Sequence, residues 1–117
     1  MRRISILVVA LTLALSSAAA AQQRRGTRLW NLTRYTITTL QMSRAGQNVW
    51  GANQCANDKD GEVDHDERLR ITGVPTGLYD VRFTDKGGRT CVVTQVDVKD
   101  GEIFSIEEKE LRDCRTR

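Results

Sequence analysis

Apolar and polar residues alternate along most of this chain with the two-residue period of β-strands. Leu78 to Thr84 is the clearest case: Tyr79, Val81 and Phe83 fall on one face, Asp80 and Arg82 on the other. Glu67 to Ile71 alternates as cleanly, with Leu69 and Ile71 inward and Arg68 and Arg70 outward. Arg28 to Leu32 predicts a first strand with Trp30 and Leu32 sharing a face. Tyr35 to Met42 is rich in Thr and Ile, which suit a half-buried pleated surface. Its alternation slips between Ile37 and Leu40, which predicts a bulge or twist there. Val49 to Ala52 reads as a short strand carrying Trp50, Arg89 to Val98 as a long Val-rich one, and Glu102 to Ile106 as the last. A helical turn is expected over Glu107 to Arg112.

Turn residues separate these runs: Ala45-Gly46-Gln47-Asn48, Gly73-Val74-Pro75-Thr76-Gly77, Asp85-Lys86-Gly87-Gly88 and Lys99-Asp100-Gly101. Asn53 to Asp66 is a loop by composition. Six to seven short strands without a convincing helix predict an all-β fold, a small antiparallel β-sandwich of immunoglobulin-like or related type. Trp30, Trp50, Tyr79, Phe83 and Phe104 are expected to carry much of its core.

The first twenty-one residues break the alternation. Arg2 and Arg3 precede the apolar run Ile4 to Leu15, and Ala19-Ala20-Ala21 fits a small-residue cleavage site. That order predicts a secretory signal peptide over 1–21 and a periplasmic or secreted protein. The run is shorter than the roughly 20 residues a spanning helix needs, so no transmembrane anchor is expected. The expected organisation continues with a disordered N-terminus at 22–27, a β-sandwich at 28–114 and a tail at 115–117.

Cleavage changes the charge. The chain has 18 basic and 15 acidic residues, and Arg2 and Arg3 leave with the signal, so the mature balance falls to +1. The sequence pI near 9.0 is therefore no nucleic-acid signature. Charge remains segregated: Arg24, Arg25, Arg28, Arg34 and Arg44 lie before Asn57 with no acid, and six acids follow between Asp58 and Glu67. Such asymmetry marks either a partner surface or two solvated loops facing each other.

All three cysteines lie in the mature part, where export favours disulfides. The favoured pairing is Cys91–Cys114: Cys91 opens a strand-like run, Cys114 ends the last ordered segment, and the bridge would tie the C-terminus to the sheet. It would contribute roughly 3 kcal/mol on the chain-entropy model. Cys55 is left as a free thiol or as the link of an intermolecular dimer, beside a loop expected to be mobile.

The acidic loop can be laid on a twelve-residue calcium loop, with Gly61 at position 6 and Glu67 at position 12. Ala56 at position 1 offers no ligand, and the flanks do not read as helices. The reduced expectation is a looser surface Ca²⁺ site built from Asp58, Asp60, Glu62 and Asp64, set against a solvated acidic connection. His65 is the single histidine and has no evident nucleophile partner. Glycine-rich phosphate loops, G-x-S-x-G and H-E-x-x-H do not occur. Asn31-Leu32-Thr33 is a glycosylation sequon in form; in a chain with a bacterial-looking signal, Asn31 reads as a turn or strand-end residue.

Several segments together resemble a loosely defined family of small exported bacterial proteins without assigned function. These are Asn31-x-Thr33, Trp50-Gly51, Gly73-Val74-Pro75-x-Gly77-x-Tyr79-Asp80-Val81-Arg82, the following turn, and Cys91 with terminal Cys114. The resemblance implies a periplasmic antiparallel β-sandwich and supplies no catalytic residue. The expected function is non-enzymatic binding of a periplasmic or cell-surface protein or an envelope component, without a cofactor. Its alternatives are a calcium-dependent adhesion or envelope-stability module using residues 58–67, and an inhibitor of a secreted enzyme.

Overall fold

The structure, a computed structural model, describes residues 26–116. The expected signal peptide and residues 22–25 lie outside that range. Among the described residues there are seven strands: β1 Thr27–Leu32, β2 Ile37–Arg44, β3 Arg68–Ile71, β4 Gly77–Asp85, β5 Arg89–Val98, β6 Ile103–Glu107 and β7 Arg112–Thr116. They form a three-stranded sheet, β3-β1-β6, and a four-stranded sheet, β2-β4-β5-β7. Among the described residues, the helical structure is two short 3-10 turns, Gln54–Asn57 and Glu108–Glu110. The fold is a small all-β sandwich.

Both sheets contribute to one core. Leu29, Leu69, Ile71, Phe104 and Ile106 come from the smaller sheet; Leu40, Met42, Tyr79, Val81, Phe83, Cys91, Val93 and Val98 come from the larger. At about 25 cal/mol per Å² of apolar surface buried, this shared interior is the main force holding the layers together. The predicted inward sets of β3 and β4 are found there, and the register of β2 shifts between Ile37 and Thr39, at the expected slip.

Four local expectations are corrected. First, β1 is turned over. Leu29 and Asn31 point inward while Trp30 and Leu32 are only half-buried. Asn31 can face the core because its amide is fully used: Oδ1 accepts from Thr33 N at 3.0 Å and Thr33 Oγ1 at 2.6 Å, and Nδ2 donates to Tyr35 O at 3.1 Å and Val63 O at 3.0 Å. Second, Val49–Ala52 is not a strand, and Trp50 lies outside the core. Its ring covers the Arg82 guanidinium at 4.4 Å instead. Third, Thr27 belongs to β1 and is buried, so the ordered chain begins before residue 28. Fourth, β7 runs through Arg115 and Thr116, pairing with Thr90 and Arg89 of β5. The expected tail is therefore part of a strand.

One pairing departs from the antiparallel rule. β1 runs antiparallel to β3 but parallel to β6, with Leu29 opposite Phe104 and Asn31 opposite Ile106. The 53–66 segment is also more than a connection. Val63 bridges to Ile37 and is buried with it. Asn53 Oδ1 accepts from Leu40 N at the edge of β2, while Gln54 exchanges two hydrogen bonds with the backbone of Thr72, just past β3. This amide clamp covers an otherwise open edge of one sheet and fastens it to the other, a recurrent answer to the edge-strand problem.

Candidate functional site

The alternation that buries Leu29 and Asn31 sends Arg28 and Trp30 to the outer face of the three-stranded sheet. Register then fixes their neighbours. Arg28 stands directly opposite Arg70 on β3 and Ile103 on β6; Trp30 stands opposite Arg68 and Ser105. Directly opposed residues share a face, with Cβ atoms about 4.5–5.5 Å apart. The result is one surface carrying Arg28, Arg68 and Arg70, with Trp30 and the exposed Ile103 among them. The Arg68 guanidinium lies 4.6 Å from the centroid of the Trp30 ring, and the indole Nε1 donates to Asp66 Oδ1 at 2.9 Å.

No carboxylate lies within 4.0 Å of these three guanidinium groups among the described residues. Arg89 shows the contrast. Its Nε reaches Asp85 at 2.9 Å, its two terminal nitrogens reach Glu108 at 3.0 and 2.8 Å, and Tyr35 lies 4.9 Å from it. Those hydrogen bonds raise the Arg89 pKa further and hold the Glu108 carboxyl down to about 2. Arg89 is thus a structural tie. Arg28 has no such partner, and its Nε is buried without any hydrogen bond. A buried unpaired donor costs about 1–3 kcal/mol, and like charges directly opposed add to the cost.

No arginine of the basic block among the described residues forms an ion pair with an acid of the 58–67 loop. Among the described residues, the 58–67 loop makes one ion pair, Glu62 with Lys86 at 3.0 Å. Its other acids are spent separately: Asp58 accepts from Asp60 N, Asp64 from Thr36 Oγ1, and Glu67 from Asp64 N. The carboxylates of Asp58, Asp60, Glu62 and Asp64 are not gathered, and no group of three potential metal ligands is found among the described residues.

The cysteines are divided as expected. Cys91 and Cys114 are bonded, joining β5 to β7, and Cys55 is free. Of the two alternatives for Cys55, free thiol or intermolecular link, the position of the residue favours the first. It is fully buried in the core, with Sγ 3.8 Å from Ile37 O, and burial, reinforced by Asp58 and Glu62, pushes its pKa up to about 11. Burial and a raised pKa both lower the reactivity of a thiol. His65 Nδ1 is 2.7 Å from Thr33 O, which occupies the ring at that nitrogen.

A groove of about 550 Å³ opens between the 49–57 segment and the 72–75 turn. Arg44 and Tyr79 line it together with Met42, Val49 and Pro75, and none of its lining residues is acidic. Arg44 packs on the Tyr79 ring at 5.3 Å, in space left by Gly77, where an added Cβ would come within 2.8 Å of the guanidinium. Outward placement of Arg68 and Arg70 was legible in the alternation. Arg28 was missed because Trp30 drew β1 the wrong way round. No family model matches this chain, and neither does any curated protein or solved structure.

Proposed function

We propose that this protein is a non-enzymatic, exported β-sandwich that binds a periplasmic or cell-surface component through the outer face of its three-stranded sheet. The observation that carries the proposal is the set Arg28, Arg68 and Arg70: three cations on one face, none with a carboxylate partner among the described residues. Unpaired arginines beside an aromatic ring and an exposed Ile form a composition favoured at interfaces, where Arg and aromatic side chains anchor partners. Export is supported by the signal-like N-terminus and by the disulfide, a bond that persists in oxidising compartments. A non-catalytic role is supported by the buried Cys55 thiol and the engaged His65 ring.

The test is site-specific crosslinking in the envelope. A photoreactive residue at Ser105, beside Trp30 on β6, should capture a partner, and the adduct should disappear in the Arg28→Glu/Arg70→Glu double variant. A second probe at Thr94, exposed on β5 of the other sheet, serves as control. Adducts from Thr94 alone, or adducts at Ser105 that survive the double variant, would sink the reading.

A further inference from the structure

The directly opposed pair Arg28 and Arg70 specifies more than a basic surface. Cross-strand like charges are unfavourable by themselves, so a protein that places them together without an acid stabilises an anion there or bears the cost. We propose that Arg28 and Arg70, with Arg68 on the adjoining pair, form a clamp for a phosphate group. This rests on the binding face proposed above and names the chemistry it takes.

Three observations converge. Register sets the two arginines side by side on one face, so both forks can turn to one ligand. A guanidinium recognises phosphate by paired, parallel N–H···O bonds, and a phosphate has enough oxygens and charge to satisfy two forks at once, whereas one carboxylate has two oxygens and a single charge. Arg28 is half-buried with an unpartnered Nε, so it already lacks hydration that an exposed arginine would keep. Arg68 does not need a carboxylate to stay in place, because the Trp30 ring supports it and Asp66 in turn holds the indole. Positioned guanidinium groups of this kind lose less conformational freedom on binding. An adjoining hollow of about 480 Å³ opens beside Arg70, lined also by Thr27, Gly73 and the acid Asp100, whose carboxylate accepts from Thr27 Oγ1.

Phosphate can come free or on a lipid headgroup, and the experiment separates these sources. The Arg Nε–H resonances of the isotope-labelled protein, purified after export, are followed during titration with inorganic phosphate, and separately with vesicles containing phosphatidic acid, whose headgroup is a phosphate monoester. Sodium chloride of equal ionic strength is the control. Saturable shifts at Arg28 and Arg70 with inorganic phosphate are expected, and none with chloride. Arg70→Gln, at an exposed position, should weaken binding about tenfold, as loss of one charge-assisted pair would. Arg44→Gln, at a residue that lines the groove and not the hollow, should leave it unchanged. Shifts with vesicles but not with free phosphate assign the site to lipid; the reverse assigns it to soluble phosphate. Equal shifts with chloride, or an Arg70→Gln variant that titrates like the parent, would overturn the clamp. Neither phosphate source binding while the Ser105 adduct persists would remove the clamp and leave the binding face standing. Phosphate binding without a Ser105 adduct would do the opposite.

Discussion

Replacing Asn31 by Ala tests whether a polar residue in the core strand holds the sandwich together. Asn31 is fully buried and makes four side-chain hydrogen bonds. Truncation strips each partner differently. Thr33 Oγ1 and Tyr35 O keep each other at 3.3 Å. Thr33 N–H loses its acceptor in the packed interior, whereas Val63 O keeps the bond it accepts from Ile37 N at 2.9 Å. One orphaned buried group gives an expected loss of about 1–3 kcal/mol. Against a total stability of about 5–15 kcal/mol for a domain, that is a large fraction. Equilibrium urea unfolding of the parent and Asn31→Ala, followed by tryptophan fluorescence, measures it. The midpoint should fall with little change in m, and melting should drop by at least about 4 °C at about 4–8 °C per kcal/mol. Asn31→Asp keeps the shape and the acceptor but turns a carboxylate towards the carbonyls of Tyr35 and Val63, so it should be no milder at neutral pH. A loss under about 1 kcal/mol for Asn31→Ala, at unchanged m, would refute the claim that these bonds are irreplaceable.

Two further outcomes are expected. The folded Glu108 pKa of about 2 lies below its ordinary 4.5, because Arg89 donates to the carboxylate. Its contribution is complete above the unfolded value and is lost as pH falls from about 4.5 towards 2. Unfolding midpoints measured across that window should therefore fall more steeply in the parent than in Glu108→Gln; parallel slopes would contradict the network. For the cysteines, a thiol reagent should find no reactive group in the native oxidised protein and one after denaturation, and non-reducing electrophoresis should show a monomer. Rapid labelling of native protein, or a dimer abolished by Cys55→Ser, would show that Cys55 is accessible.

How much was legible follows from where each signal resides. The strands of β3, β4 and β5 were readable because their apolar residues mark a face at a two-residue period, a local property of the chain. The turns were readable because Gly88 and Gly101 hold positive φ, a conformation other residues adopt with strain. The disulfide was readable as a pairing of two segment ends. β7 was not, since Arg112–Thr116 contains no aliphatic or aromatic residue. It is a strand because β5 offers it an edge and Cys114 is bonded to Cys91. The burial of Cys55 was not legible beside a loop read as mobile, because the amide clamp that draws it under β2 beside Ile37 exists only after folding.

The sequence by itself determined the class of the fold: alternating faces, glycine turns and a chain too small for more than one layered core. Alternation states that a strand has two faces; it does not state which one is buried when a polar residue can satisfy itself inside. For β1 that decision belongs to Asn31, whose four partners come from residues 33, 35 and 63 and exist only after folding. With that face turned inward, Arg28 and Trp30 had to turn outward, and the parallel and antiparallel pairings of β1 brought Ile103, Arg68 and Arg70 beside them. The candidate surface is therefore a product of register between strands distant in sequence, and register is settled by packing both sheets at once.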